Sequence, residues 1–351
     1  MASTPIRIEV VLEATSPIAH HAEVMGNTAI AMRRKVRLTD GSFANVPIIT
    51  GDTMRHSLRE GASRALLDAA DMLEPGSLSE SALRLLFAGG MVVGGDSGSV
   101  KLDDYKSLCD LLPHMKLLGG CAQNRVIPGR MQVDDATLVC DESRALWPSW
   151  LEGWLSSRST AVDSCRAHVD EEMRVRMDPV LRPELRGLIT DGGAAVEKRL
   201  KKGEAASADG DAKGKDEAKS TMMPRTAEVI VPGSLFFWGI SATVDDAFDL
   251  DVLHAMLKAS LDLALHQGVG GKRGTGHGKL VPRAIYNVPK RRWRDLPKQI
   301  EAPTSGAIVA TSQDAMAVDL ERIDAPSGAL FAAHVTARSA KIREYLSQVK
   351  S

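Results

Sequence analysis

Residues 268–280 hold the densest chemistry in this chain. Glycines at 268, 270, 271, 274, 276 and 278 are interleaved with Lys272, Arg273, His277 and Lys279. Glycine lets the backbone take positive φ and approach a ligand closely. Successive exposed amides in such a turn make an anion-binding concavity, and three cations strengthen it. A phosphorylated guest suits that chemistry. The common nucleotide-cofactor forms do not. No register places Lys and then Ser or Thr after the second glycine of a P-loop, and the dinucleotide pattern G-x-G-x-x-G fails in every register. The context is also reversed, because those motifs lead from strand into helix. Here a helical pattern precedes the loop (Asp249 to Gln267, with Leu250, Leu253, Met256, Leu257, Leu261 and Leu265 in phase), and a strand-like run, Lys279 to Tyr286, follows it. The plainer alternative is a tight helix-to-strand turn with surplus glycine.

Other candidates lie elsewhere along the chain. Arg55 and Arg59 stand four apart near the start of a helix, so they share one face beside its free amides and offer a second phosphate site. Arg33, Arg34, Lys35 and Arg37 lie within five residues, as a solvated strand face or a phosphate-contacting one. Lys290, Arg291, Arg292, Trp293 and Arg294 combine cations with an aromatic ring. His20, His21 and Glu23 carry groups suited to acid-base work, without visible pairing partners. Asp134 and Asp135 lack a third oxygen-rich ligand and read as a turn rather than a metal site. Cys109, Cys121, Cys140 and Cys165 have neither metal nor redox spacing and read as reduced thiols. No metal or cofactor is expected.

The elements that must position these groups are a first strand, Ile6 to Glu13; a hairpin turn at Asp40 and Gly41; and a helix from Thr53 to about Leu73, with Asp52 or Thr53 as N-cap. Helical patterns follow at Ser79–Phe87 and at Leu102–Leu118, broken at Pro113, and a strand pair at Arg125–Val139. Trp147, Trp150 and Trp154 fall at helical spacing, which favours core or interface over base stacking. Glu171–Arg186 reads as a projecting hairpin, and Glu197–Ser220 lacks large apolar side chains and reads as a disordered tip. Arg225–Ile240 is strand-like, and a last amphipathic helix runs from Ala333 to Val349. The order strand, helix, strand, strand, helix, loop, strand is that of an α+β, ferredoxin-like, RRM-like β-α-β-β-α-β core with large insertions. Such sheets commonly hold single-stranded nucleic acid.

Three segments carry a resemblance to a known family. Val46 to Arg59 resembles its Pro-Ile-x-x-Gly helix start with two basic residues, Glu228 to Phe237 its Glu-x-Val strand, and Gly270 to Gly278 its C-terminal glycine loop. In that order they resemble the backbone subunit of the CRISPR RAMP superfamily, most closely the type IV version. The resemblance implies a palm over 1–286 with a helical insertion at about 75–165, a thumb at about 173–225 with its tip at 200–220, and an extension at 287–351 packed on the palm. It implies a non-catalytic subunit that binds crRNA, forms a homo-oligomeric filament, joins other CRISPR effector subunits and favours a DNA over an RNA target. Arg33, Arg34, Thr53, Arg55, Arg59, Gly270, Gly271, Lys272, Arg273, Gly274, Gly276 and Lys279 would contact RNA, and Met177 or Leu181 would be the thumb wedge. Related subunits of type III complexes cut RNA with an aspartate upstream of the Pro-Ile motif. This chain has Ala31 there. A metal-dependent ribonuclease and a phosphate-ligand enzyme are the alternative readings.

Over 351 residues the chain holds 44 Lys+Arg against 45 Asp+Glu, for a net charge of −1. A free-standing nucleic-acid binder usually shows a basic excess, so cations must act by local clustering here. With no cationic-then-apolar leader and no long apolar run, a cytoplasmic protein without a membrane segment is expected.

Overall fold

The computed structural model describes residues 3–25, 27–90, 98–99, 101–122, 125–174, 188, 225–288, 307–309 and 328–349. Met177, Leu181, the 200–220 tip and the Lys290–Arg294 cluster lie outside them. In chain order the strands and helices are β1 (Thr4–Ala14), β2 (His21–Met25), β3 (Thr28–Ala31), β4 (Arg33–Arg37), β5 (Phe43–Ile49), α1 (Gly51–Ala69), α2 (Glu80–Ala88), β6 (Gly98–Ser99), α3 (Leu102–Leu111), α4 (Pro113–Leu118), β7 (Gly120–Ala122), β8 (Arg125–Ile127), β9 (Met131–Val133), β10 (Ala136–Leu138), α5 (Ser149–Ser157), β11 (Val169–Arg174), β12 (Arg225–Ile230), β13 (Leu235–Val244), α6 (Ala247–His266), β14 (Leu280–Val288), β15 (Ala307–Val309) and α7 (Ala329–Gln348). They form two compact units: Met1–His20, Met32–Val169 and Ile230–Ser351 in one, His21–Ala31 and Asp170–Val229 in the other.

The larger unit is built on a sheet ordered β15-β14-β1-β13-β10-β5-β4, with β9 also paired to β13. β1 runs antiparallel to both β13 and β14, and β10 antiparallel to β13. With α1 between β1 and β10 and α6 between β13 and β14, this is the β-α-β-β-α-β ferredoxin-like arrangement. The fold is α+β, as the order of sequence patterns implied. Alternation makes β1 two-faced. Ile8, Val10 and Leu12 are buried in the main core with side chains of α1 and α6, while Val11 belongs to a second apolar cluster with Leu151, Trp154 and Leu155.

α1 and α6 pack closely because small residues face each other. A Cβ on Gly61 would lie 2.6 Å from the Ser260 amide nitrogen, and the Ser57 and Ser260 hydroxyls meet at 3.0 Å in the buried interface. α7 is tied in at its start. Both carboxylate oxygens of buried Asp251, on α6, accept amides of α7, from Gly328 at 3.0 Å and Phe331 at 2.8 Å. A side chain from another helix thus does the work of an N-cap. Lys116 on α4 donates to Asp249 at 2.7 Å and lies 3.0 Å from Asp245, fixing α4 to the start of α6.

Several boundaries differ from the sequence expectation. α1 begins at Gly51 and its N-cap is Thr50, whose hydroxyl accepts the Thr53 amide; neither Asp52 nor Thr53 caps it. A Cβ at position 51 would sit 2.5 Å from the Val133 carbonyl, so only glycine allows this early start. The 125–139 stretch is three short strands rather than a pair, and β9 and β10 both lie on β13. Trp147 precedes α5 instead of belonging to it.

The smaller unit contains a sheet ordered β11-β12-β3-β2, with β12 and β3 parallel and β2 and β3 antiparallel. Glu228 accepts the Ala31 amide through its side chain at 2.8 Å, and its carbonyl is 2.9 Å from the His21 ring. Among the described residues no helix is long and apolar enough to cross a membrane.

Candidate nucleic-acid interface

The glycine loop is a bonded structure, not an open nest. Gly268, Gly270, Gly276 and Gly278 all have positive φ, and so does Lys272 at 56°. The amides of Val269, Gly271, Thr275, Gly276, His277 and Gly278 all donate within the chain, Gly271 to the Ala19 carbonyl at 2.7 Å and Gly278 to Pro17 at 2.9 Å. A Cβ at 278 would come within 2.1 Å of the Val269 carbonyl, so that glycine serves chain packing. Gly274 and Gly276 face open space, and Arg273, Thr275 and Lys279 are exposed around them. The part of the loop still open to a ligand is the outer turn, 272–276, and Lys279.

That turn lies against α1. An Arg273 guanidinium nitrogen is 3.5 Å from the Glu60 carboxylate, which also takes Arg64 at 2.9 Å. His20, next to the residue that binds Gly271, accepts the Thr50 amide at 3.2 Å. The loop, residues 17–20 and the start of α1 are thus one assembly. Thr53, His56 and Glu60 lie at i, i+3 and i+7 on the α1 face nearest Arg273. His56 and Glu60 escaped the sequence reading. Steps of three and then four residues counted from Thr53 would have found them.

Arg55 and Arg59 need correction. Their guanidinium groups are engaged with carbonyls at the end of α4, just beyond it and on β9. Arg55 donates to Leu118 and, at 3.1 Å, to Met131; Arg59 donates to Gly119 at 3.1 Å. The Leu118 and Gly119 carbonyls are ones a helix end leaves unpaired, where positive charge is favoured. Arg59 is only 8% exposed, and burial together with the neighbouring Arg55 charge lowers its pKa to about 10. These two arginines tie α4 and the residues after it to α1.

The α1 N-terminus is likewise occupied. The Gly51 amide donates to Asp135 at 2.7 Å, and the other oxygen of that carboxylate takes Arg34 at 2.7 Å. With Asp52 in the first turn as well, two acids stand where a phosphate was expected. Asp134 binds Arg7 at 2.8 Å. The acidic pair therefore has two separate anchoring roles. Arg33 and Arg34 lie on β4, and Arg33 is half-buried.

The open sheet face expected to hold bases is covered. Trp150 stacks on Tyr286 with ring centroids 5.2 Å apart, meets Phe237 edge-on at 6.2 Å and donates to Glu9 at 2.7 Å. With Trp154 it seals the central strands, as the spacing of the tryptophans suggested. That face is therefore closed, while the β4 hairpin and the outer glycine turn keep exposed cations at Lys35, Arg37, Arg273 and Lys279.

No protein-family model matches the chain, and no curated protein matches it. Among solved structures, a chain of a Type IV-B CRISPR complex is similar over 84% of this chain and 100% of its own length, at 18% identity and a TM-score of 0.45. Csc2 of Thermofilum pendens is similar over 99% of this chain and 90% of its own, at 12% identity and a TM-score of 0.38.

Proposed function

We propose that this chain is a non-catalytic backbone subunit of a CRISPR ribonucleoprotein, placed copy after copy along a guide RNA. The observation that carries the reading is the antiparallel order β14-β1-β13-β10 with the resembling segments set into it. The Pro-Ile-x-x-Gly segment becomes the β5–α1 junction, the Glu228 segment becomes β12–β13, and the glycine loop joins α6 to β14 and rests on α1. The guide contacts we assign are Arg33, Arg34, Thr53, Lys272, Arg273, Gly274 and Lys279, with the turn at 270–276 shaping the backbone around them. Arg55 and Arg59 are left out. Cleavage is not part of the reading, because Ala31 stands where the resemblance puts the acid, and its amide donates to Glu228. The target favoured is DNA. Expression with a guide array tests the proposal: the purified protein should carry a short RNA that is released by denaturation, and nucleic-acid-free protein would contradict it.

A further inference from the structure

The β4–β5 hairpin has two unlike faces. Alternation and register put Val36 and Val46 on one face, where both are buried in the main core. Arg33, Lys35 and Arg37 fall on the other, opposite Pro47, Asn45 and Phe43. Toward the turn that outer face is open, with Lys35, Arg37 and Asn45 exposed and Phe43 at 59%. The Lys35 ammonium lies over one side of the Phe43 ring, 4.3 Å from its centroid. The hairpin sequence, residues 33–49, holds a single acid, Asp40. Its carboxylate is engaged within the turn, where it accepts the Ser42 amide at 2.9 Å and the Ser42 hydroxyl at 2.7 Å. Arg34, in register with Val36, donates to Asp135 at 2.7 Å. The exposed cations of the outer face are Lys35 and Arg37, set beside an aromatic ring and a carboxamide.

We propose that this outer face stacks one unpaired base of a single-stranded nucleic acid on Phe43, with Lys35 and Arg37 at the flanking phosphates and Asn45 at the base edge. The inference rests on the nucleic-acid reading above and adds a base contact, which cations alone do not supply. Lysines and arginines follow the phosphates and carry no information about the base. An exposed ring offers a π-face to any base, whatever the sequence. The Asn45 carboxamide both donates and accepts, so it can pair with the polar edge of the stacked base. The Lys35 ammonium holds one side of the ring by cation-π attraction, which leaves the other side for the base. The strand must be single, because a base inside a duplex has no free face. A protein partner suits this face less well, since it would bury two cations around one small apolar surface.

The test is anisotropy titration of full-length protein with short oligo(U), oligo(dT) and an abasic oligomer of equal length, each over a range of salt. Phe43→Ala should weaken oligo(U) binding by about tenfold, with the salt slope and the abasic affinity unchanged. Phe43→Trp should keep parental affinity. Lys35→Ala with Arg37→Ala should instead weaken all three probes and flatten the slope by roughly 0.7 per lost contact. A Phe43→Ala loss on oligo(U) and oligo(dT) alike supports a base site open to either strand, and a loss on oligo(U) alone supports one for the guide. Circular dichroism and melting show that each variant folds. Unchanged oligo(U) affinity in folded Phe43→Ala, or an equal loss on the abasic probe, overturns the inference and leaves the nucleic-acid reading intact. If Phe43→Ala lowers only the mass of the assembled complex, the hairpin is a protein contact and the inference fails. A parent protein that binds none of the probes overturns the nucleic-acid reading, and this inference with it.

Discussion

Lys272 and Arg273 differ from Arg55 and Arg59 in where their charge can go, and that difference is measurable. Each phosphate neutralised on a single strand contributes roughly 0.7 to the slope of log affinity against log salt. Lys272→Ala with Arg273→Ala should weaken guide binding and flatten that slope by about 0.7 per lost contact; an unchanged slope removes the outer turn from the RNA path. Arg59→Met should leave the slope alone and lower folding stability by about 1–3 kcal/mol, the cost of a buried carbonyl left without its donor, as measured by urea titration. His114, on α4, gives a pH signature. It is fully buried, neither ring nitrogen has a hydrogen-bond partner among the described residues, and burial with the Arg59 charge pushes its pKa down to about 3. The unfolded chain takes up a proton on this ring near the ordinary 6.5, while the folded chain resists until about 3. Stability should therefore fall as pH drops through that window. His114→Leu should remove this part of the acid dependence, and an unchanged profile would show that the ring is hydrated.

At the level of elements, the periodic ones were legible in the sequence. β1 alternates, α6 repeats its leucines, and α5 shows its tryptophan stripe, because each pattern lies within a few neighbouring residues. What was hidden depends on distant partners. Asp135 reaches Gly51 across 84 positions and Arg59 reaches Gly119 across 60, so nothing local marks the first as an anchor of α1 or the second as a tie to α4. The glycine loop was visible as a loop, but the carbonyls of Pro17 and Ala19 that take its amides were not. Gly61 is a further element-level test, being a glycine in mid-helix where propensity alone would favour alanine. Because its Cβ would collide with the backbone at Ser260, Gly61→Ala should cost a net of about 1–2 kcal/mol. A gain in melting temperature would mean that α1 and α6 can separate without penalty.

For the whole molecule, near-neutral charge and RNA binding are compatible if the cations gather on one rim. α5 covers one face of the central sheet, α1 and α6 cover the other, and the β4 hairpin and glycine-loop turn remain exposed. The central claim is that copies accumulate along a guide, and native mass measurement of complexes made with guides of two lengths tests it most directly. The longer guide should carry more copies of the chain, in proportion to its added length. A copy number that stays the same on both guides, or protein that emerges free of RNA, would contradict the account.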